Sequence, residues 1–440
     1  MVHEQNQASI FDIGSRPQAL ALVALIVLAA LLAMAPNAIA QTFSVLHNFT
    51  AGADGAGPEA GVTIGPSGVV YGTAPAYGTY GGGVVFKLNQ VNSAWVFTPL
   101  YEFTGKSDGG HPIGGVVIGP DGALYGTTQT GGEGNNGTVF ALRPPGAFCG
   151  TIGCAWNETV LHTFTGMPDG FNPWVENLVF DAAGNIYGTT GNGGTYGGGT
   201  AFELTPSGDG EYTETILHSF GNDQDGSFPV AGVLLDSDGN IYGATGAGGT
   251  GRGCDFGCGT VYQLTPSGGS WLENVLYSFD LGHFGLAGGY YPYSPLIMDG
   301  SGNLYGSTLA STLYDNGEIF KFTPSGGGFT PSVFYGFTSS CEPYDGVTMD
   351  TAGNFYGVCL YGGANGAGWV YELTNCSQQC TIVDLHDFTS IDGLMPYGAP
   401  VLDANGNLYG TTQFGGRGED CNLGCGVVWE LAGVAAPRRN

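Results

Sequence analysis

The chain has 440 residues, 82 of them glycine, and sets 37 acidic side chains against 9 basic ones for a formal net charge of −28. So little Lys and Arg excludes nucleic-acid binding and docking on anionic membranes, since both need clustered positive charge. Aromatic residues at 12% are too many for a disordered chain, despite the glycine content.

The first element is a targeting segment. A polar lead ending at Arg16 precedes the apolar run Ala19 to Ala35 and then Ala38-Ile39-Ala40. These have the character of the n-region, h-region and small-residue cleavage site of a secretory signal peptide. The run falls short of the roughly 20 apolar residues of a membrane span. Residues 1–40 are therefore read as a signal peptide, with an uncleaved anchor as the alternative, and no membrane span is expected after Gln41.

From there one phrase recurs. Tyr-Gly appears at Tyr71, Tyr125, Tyr187, Tyr242, Tyr305, Tyr356 and Tyr409, in steps of 54, 62, 55, 63, 51 and 53 residues. Such a period marks a repeat architecture. Residues 177 to 220 show one unit. Asn177 to Phe180 reads as a short strand, A, followed by the turn Asp181 to Asn185. Strand B runs from Ile186 to Thr190 and gives way to a glycine-rich loop at 191–199. Strand C, Thr200 to Leu204, is stopped by Thr205-Pro206-Ser207-Gly208, and strand D runs from Thr215 to Phe220. No segment after residue 40 keeps a helical period over three turns, so the fold is predicted to be all-β.

Four-stranded antiparallel sheets repeated radially are propeller blades. Each is covered on both faces by its neighbours, which explains strands that read apolar throughout. The phase of the repeat sharpens this. Phe43 to Phe49 reads as a D strand without its own A, B and C, and Val427 to Leu431 reads as a C strand without its D. Seven of each exist only if the N-terminal D strand completes the last blade, closing the ring and removing exposed edges. An open solenoid would carry capping repeats, and none is read. The expectation is a seven-bladed β-propeller over residues 41–433 with a short tail at 434–440.

The phrases Asp-x-x-Gly-Asn-Leu-Tyr-Gly-Thr-Thr, Gly-Thr-Val-Phe-x-Leu-Thr-Pro-Ser-Gly and Val-Leu-Tyr-Ser-Phe resemble the Gloeo/Verruco (GloVer) tandem repeat, over residues 42 to 431. The resemblance implies a secreted bacterial protein of a group whose members differ in how they are anchored. It implies no reaction or ligand. No sorting segment is read at the C-terminal end, so the expected location is secreted, periplasmic or cell-surface.

In such a meander the D–A and B–C loops share one face. The D–A loops repeat Asp-Gly-x-x-Pro, placing Asp54, Asp108, Asp169, Asp225 and Asp392 as candidate cation or sugar ligands around one mouth of the central channel. A plain Asp-Gly turn, with Pro fixing the start of strand A, is the favoured alternative because it recurs in five blades. The blades differ most between Asp280 and Tyr291, where a longer loop holds His283, Tyr290 and Tyr291. With Trp174, Tyr293, Tyr344 and Tyr397 it predicts an aromatic rim able to stack on sugars or bury against a protein. Ordinary packing at the loop bases stands equal to that reading.

Asp236-Ser237-Asp238-Gly239-Asn240 has the oxygen spacing of a short calcium loop, but equivalent turns lack its second acid, so a hairpin turn is favoured. His47, His162, His218 and His386 share one strand D position with Tyr101, Tyr277 and Tyr335, which suggests packing with a polar tip; no metal ligand is assigned. The ten cysteines of an exported chain read as local disulfides: Cys149 with Cys154, Cys254 with Cys258, Cys341 with Cys359, Cys376 with Cys380, and Cys421 with Cys425. No Ser-His-Asp order, HExxH, P-loop or G-x-S-x-G is present, and no cofactor is expected. The expected function is a monomeric binding module for an extracellular protein or glycan. The alternative is a carbohydrate-active hydrolase or lyase using acids at the channel mouth. The Tyr-Gly pair itself is predicted to be the joint between blades, each Tyr ring packing towards the Gly-bearing face of the next blade.

Overall fold

A computed structural model describes residues 41–145, 156–174, 177–208, 210–222, 224–281, 289–311, 316–377 and 379–435. The signal-peptide reading, Cys149, Cys154 and His283 fall outside the described residues.

Seven four-stranded antiparallel sheets form the chain from Thr42 onward, with no α-helix among the described residues. The blade chosen above consists of Val179–Phe180, Ile186–Thr190, Thr200–Gly208 and Glu211–Ser219, hydrogen-bonded in that order. Numbered from the first Tyr-Gly, it is blade 3. The last blade is composite. Its strands Val401–Leu402, Leu408–Thr412 and Val427–Ala432 are completed by Thr42–Asn48, with Phe43 opposite Leu431 and Asn48 opposite Val427. The ring is closed as the phase of the repeat predicts, giving a seven-bladed β-propeller.

Two local readings change. Strand A holds three paired residues in blade 6, Val347–Met349, and two in each of the other six, fewer than the four read in the specimen blade. The Thr-Pro-Ser-Gly segment is no stop either. In blade 4 the C–D pairing continues through Thr265↔Leu272, Pro266↔Trp271 and Ser267↔Ser270. Gly268 and Gly269, at φ +60° and +89°, then close it as a two-residue turn. Positive φ at both turn positions matches the right-handed twist of the strands, so the hairpin extends past the proline to its tip.

Buried apolar side chains fill the seams between blades around the strand B and C residues. Tyr187, Ala201, Leu217 and Phe220 of blade 3 pack on Val233, Ile241, Tyr262 and Leu264 of blade 4. Alternate residues of strand B divide the work. Tyr and the following Thr face the next blade: Tyr125 meets Phe180 at 4.9 Å, and Thr189 Oγ1 donates to the Ala231 carbonyl at 3.2 Å. Thr73 and Thr411 make the same cross-blade bond to Gly114 and Ala60, at 3.0 and 2.8 Å. In six blades the tyrosine hydroxyl turns back to the aspartate of its own A–B turn, as from Tyr187 to Asp181 at 3.1 Å and from Tyr242 to Asp236 at 3.1 Å.

The glycines depart from expectation. Each lies on the face towards the previous blade, but its space is filled by the strand C aromatic of its own sheet. A Cβ on Gly188 would lie 2.7 Å from Phe202, and one on Gly410 would lie 2.4 Å from Trp429. The aromatic stands directly across the ladder from the glycine, so it reaches that space before any neighbouring tyrosine.

Candidate functional site

Strand A is the inner edge of each sheet. All seven blades deliver residues from just before it to one small cavity: Glu59, Ile113, Trp174, Val230, Tyr293, Tyr344 and Tyr397. Short two-stranded bridges, such as Gly170–Phe171 with Asn192–Gly193, tie D–A and B–C loops together and confirm that they share this face.

The aromatic rim forms. Tyr291 stacks on Tyr293 with ring centroids 6.0 Å apart, Tyr293 on Tyr344 at 5.4 Å, and Tyr344 tilts against Tyr397 at 4.3 Å. Phe228 joins Trp174 to Tyr293 at 6.2 and 6.5 Å, and Tyr290 packs on Tyr291 at 5.1 Å. These rings are half-buried. Glu59 is the one acid at the mouth among the described residues. Burial raises its carboxyl above the usual range, opposed by the amide of Gln413 donating at 2.9 Å. Behind it Asp345 is fully enclosed. Desolvation pushes it up to about 8, and its Oδ2 accepts from the Ala399 N–H at 2.6 Å.

A backbone device sets the rim. The residue before the D–A proline adopts left-handed φ in six blades: Gly57, His111, Asn172, Phe228, Tyr291 and Met395. Its N–H reaches back to a carbonyl of the previous blade, as from Phe228 to Gly198 at 2.7 Å and from Tyr291 to Cys258 at 3.0 Å. In the five blades where it is not glycine, its own carbonyl accepts from its B–C loop, as from Gly246 to Phe228 at 2.9 Å. One residue thereby stitches two blades, and this is what left-handed geometry accomplishes here. No sequence motif beyond the proline announces it.

The five aspartates lie elsewhere. None lines the channel mouth. Each sits at the start of its D–A loop, against the outermost strand of its blade. Asp54 caps Thr50 and meets His47 at 3.0 Å; Asp108 caps Thr104 and accepts from the Tyr101 hydroxyl at 3.2 Å. Asp169 caps Thr165, Asp225 caps Gly221 and Asn222, and Asp392 caps Thr389. The loop runs from the outer edge of the sheet to its inner edge, so its first residue stays outside while its last reaches the channel.

These aspartates belong instead to the outer seams. Opposite the strand C leucine (phenylalanine in blade 5), each strand D presents one residue to the His or Tyr of the previous blade: Phe97, Glu158, Glu214, Glu273, Pro331, Ile382 and Phe43. Where that residue is Phe, the histidine stacks on it, His47 on Phe97 at 4.1 Å and His386 on Phe43 at 3.6 Å. At two seams it is Glu facing His. His162 Nε2 lies 3.6 Å from Asp169 Oδ2 and 3.4 Å from Glu214 Oε2; His218 Nε2 lies 3.0 Å from Asp225 Oδ2 and 3.7 Å from Glu273 Oε2. Burial pushes Glu214 up to about 7, with His162 opposing and Asp169 adding to the rise. Burial by itself would lower His162, yet Asp169 and Glu214 raise it. Sequence reading missed both glutamates because only the packing of adjacent blades brings them to the histidines.

The calcium-like turn is a hairpin turn. Asp236 accepts from the N–H groups of Asp238 and Asn240, the Asn240 amide and the Tyr242 hydroxyl, an arrangement repeated at Asp181, Asp299 and Asp350. Four of the five expected disulfides are formed, linking Cys254–Cys258, Cys341–Cys359, Cys376–Cys380 and Cys421–Cys425. No helix among the described residues is long and apolar enough to cross a membrane.

Closed seven-fold repetition, with loops gathered on one face, defines a repeat β-propeller. By sequence the chain belongs to the Gloeobacter/Verrucomicrobia repeat family, whose pattern matches residues 33–152, 152–341 and 250–432. No curated protein matches it. Among solved structures it is similar to a gluconolactonase from Xanthomonas campestris, at 15% identity and a TM-score of 0.39, covering 70% of this chain and 81% of that one. It is also similar to a protein described as a 6-phosphogluconolactonase from Bacteroides uniformis, at 13% and 0.48, covering 78% and 88%. The extracellular domain of a protein described as a one-component system from B. thetaiotaomicron gives 12% and 0.49, covering 88% and 40%. Likeness at this level carries no inference about chemistry.

Proposed function

We propose that this protein is an exported binding module whose aromatic channel-mouth face takes an extracellular glycan. The observation that carries this reading is a uniform backbone presenting varied side chains. Left-handed geometry costs a non-glycine residue about 1–3 kcal/mol. Glycine meets that requirement in blade 1, yet five blades place His111, Asn172, Phe228, Tyr291 and Met395 there. Flat tyrosine and tryptophan faces are suited to stacking on sugar rings, with polar edges for the hydroxyls. A protein partner using the same rings as anchors is the other outcome of the test.

The test is a glycan array probed with the mature chain and with Trp174→Ala and Tyr291→Ala. Binding weakened ten-fold or more in both, with unchanged melting, is expected. Full binding by both variants would remove this face from consideration. The hydrolase or lyase reading narrows to Glu59. It would require turnover in a polysaccharide screen that Glu59→Gln abolishes.

A further inference from the structure

We infer that the two outer seams carrying His162, Asp169, Glu214 and His218, Asp225, Glu273 each bind a divalent first-row transition-metal cation. This inference is independent of the channel-mouth reading. In each group one imidazole nitrogen and two carboxylate oxygens all lie within 4.8 Å of one another. With metal–ligand bonds of about 2.1 Å, neighbouring ligand atoms are separated by about 3.0 Å in an octahedron and about 3.4 Å in a tetrahedron. The observed separations from the imidazole nitrogens, 3.6 and 3.4 Å in one group and 3.0 and 3.7 Å in the other, fall around those edges.

Three further observations point to a cation. The first is unmet demand. His162 Nε2 is buried without a hydrogen-bond partner, as is Oε1, the second oxygen, of the Glu214 and Glu273 carboxylates whose Oε2 faces the imidazole; a buried carboxylate so placed carries a desolvation cost that a cation offsets. The second is orientation by outer partners. Asp225 Oδ1 accepts from Gly221 and Asn222 at 3.0 and 2.7 Å, which leaves Oδ2 aimed at His218; Asp169 Oδ1 accepts from Gly170 at 2.6 Å, while its Oδ2, which faces His162, also accepts from Thr165. Such second partners hold metal ligands in place. The third is the contrast between seams. Of the seven, these two alone set Glu against His; the stacked His47–Phe97 and His386–Phe43 seams show the same position with the acid removed.

Access is provided. Asp169, Glu214, His218, Asp225 and Glu273 line one open groove of about 1280 Å³ between the outer strands. Mixed imidazole and carboxylate ligation suits Zn²⁺ or Mn²⁺ over Ca²⁺. Three protein ligands leave coordination positions for water or an incoming ligand on the groove side. A cation at each seam also ties the outer strands of consecutive blades.

The experiment uses the mature chain, stripped with a chelator, loaded with Zn²⁺, gel-filtered and assayed for bound metal, with Co²⁺ substitution giving a visible d–d spectrum. Two Zn²⁺ per chain are expected for the wild type. Glu214→Phe and Glu273→Phe, which copy the side chain of the stacked seams, should each retain one, and the double variant none. His47→Ala should keep two. If a Phe variant fails to fold, Glu214→Gln and Glu273→Gln replace it, with at least ten-fold weaker Zn²⁺ binding expected at the altered seam. A wild-type chain that retains no Zn²⁺ overturns the inference. So does a double variant that retains both ions or leaves the Co²⁺ spectrum unchanged.

Discussion

Thr411 Oγ1 donates to the carbonyl of Ala60 at 2.8 Å, across 351 residues of chain, and so ties the last blade to the first. Thr73 and Thr189 make the equivalent bond around the ring, whereas the buried Thr127 hydroxyl has no partner. Thr411→Val removes a donor and strands a buried carbonyl, so a loss of about 1–2 kcal/mol is expected. Thr127→Val removes an unmet group and should be neutral or stabilising. Guanidinium unfolding of both variants checks this; equal losses would reject the role given to the cross-blade bond.

Gly410 leaves room for Trp429, whose ring would lie 2.4 Å from an added Cβ. Gly410→Ala is expected to cost about 1–3 kcal/mol by overpacking. On a Trp429→Ala background the same glycine change should cost less, because the ring that meets the new Cβ is gone; Phe would not serve, since the Phe202 ring fills the same space beside Gly188. A double-mutant cycle measures the coupling, and additive losses would show that the glycine acts through its backbone.

Asp345 sets a pH dependence of stability. Burial, the dominant cause, holds its carboxyl at about 8, opposed by the Ala399 N–H; Tyr344, Tyr397 and Glu59 are the titratable groups around it. The folded chain keeps this proton at pH values where the unfolded chain has lost it. Its contribution is therefore whole below the ordinary carboxyl pKa of about 4, falls as pH rises towards about 8, and is level above that. Glu59 is raised by burial too and adds a slope of the same sign. Asp345→Asn should flatten the profile of unfolding midpoint against pH between 5 and 8, as roughly bracketed by those values. A variant with the wild-type slope would contradict this.

The Cys341–Cys359 bridge spans 18 residues and joins the end of the preceding D–A loop to strand B, while Cys254–Cys258 spans 4 within one loop. Loop-closure entropy assigns about 3 kcal/mol to the first and about 2 kcal/mol to the second. Paired Cys→Ala variants should lower the melting temperature in that order. The reverse order would show that local strain outweighs chain entropy.

Much of this architecture was legible along the chain. Tyr-Gly marks each second strand, positive-φ glycines such as Gly184 and Gly239 close the A–B turns, and the orphan strand at Phe43 finds Leu431 as its partner. The aromatic rim was legible as well, because Trp174, Tyr293, Tyr344 and Tyr397 sit at one position of the repeat. The five aspartates were misplaced, since a loop position in sequence does not say which end of the sheet it occupies. The role of Gly410 was assigned to the wrong neighbour, since Trp429 across its own ladder lies nearer than any ring of another blade.

The sequence by itself therefore determined blade number, strand order, ring closure and four local disulfides. All of these follow from contacts between residues close in the chain or from the phase of a repeat. Only the tertiary structure decided that Glu214 meets His162 and Glu273 meets His218, and that the aspartates stand at the outer seams and not at the channel. The physical reason is that partners on adjacent blades are joined by sheet-on-sheet packing, whose register and twist emerge only when whole blades are assembled face to face.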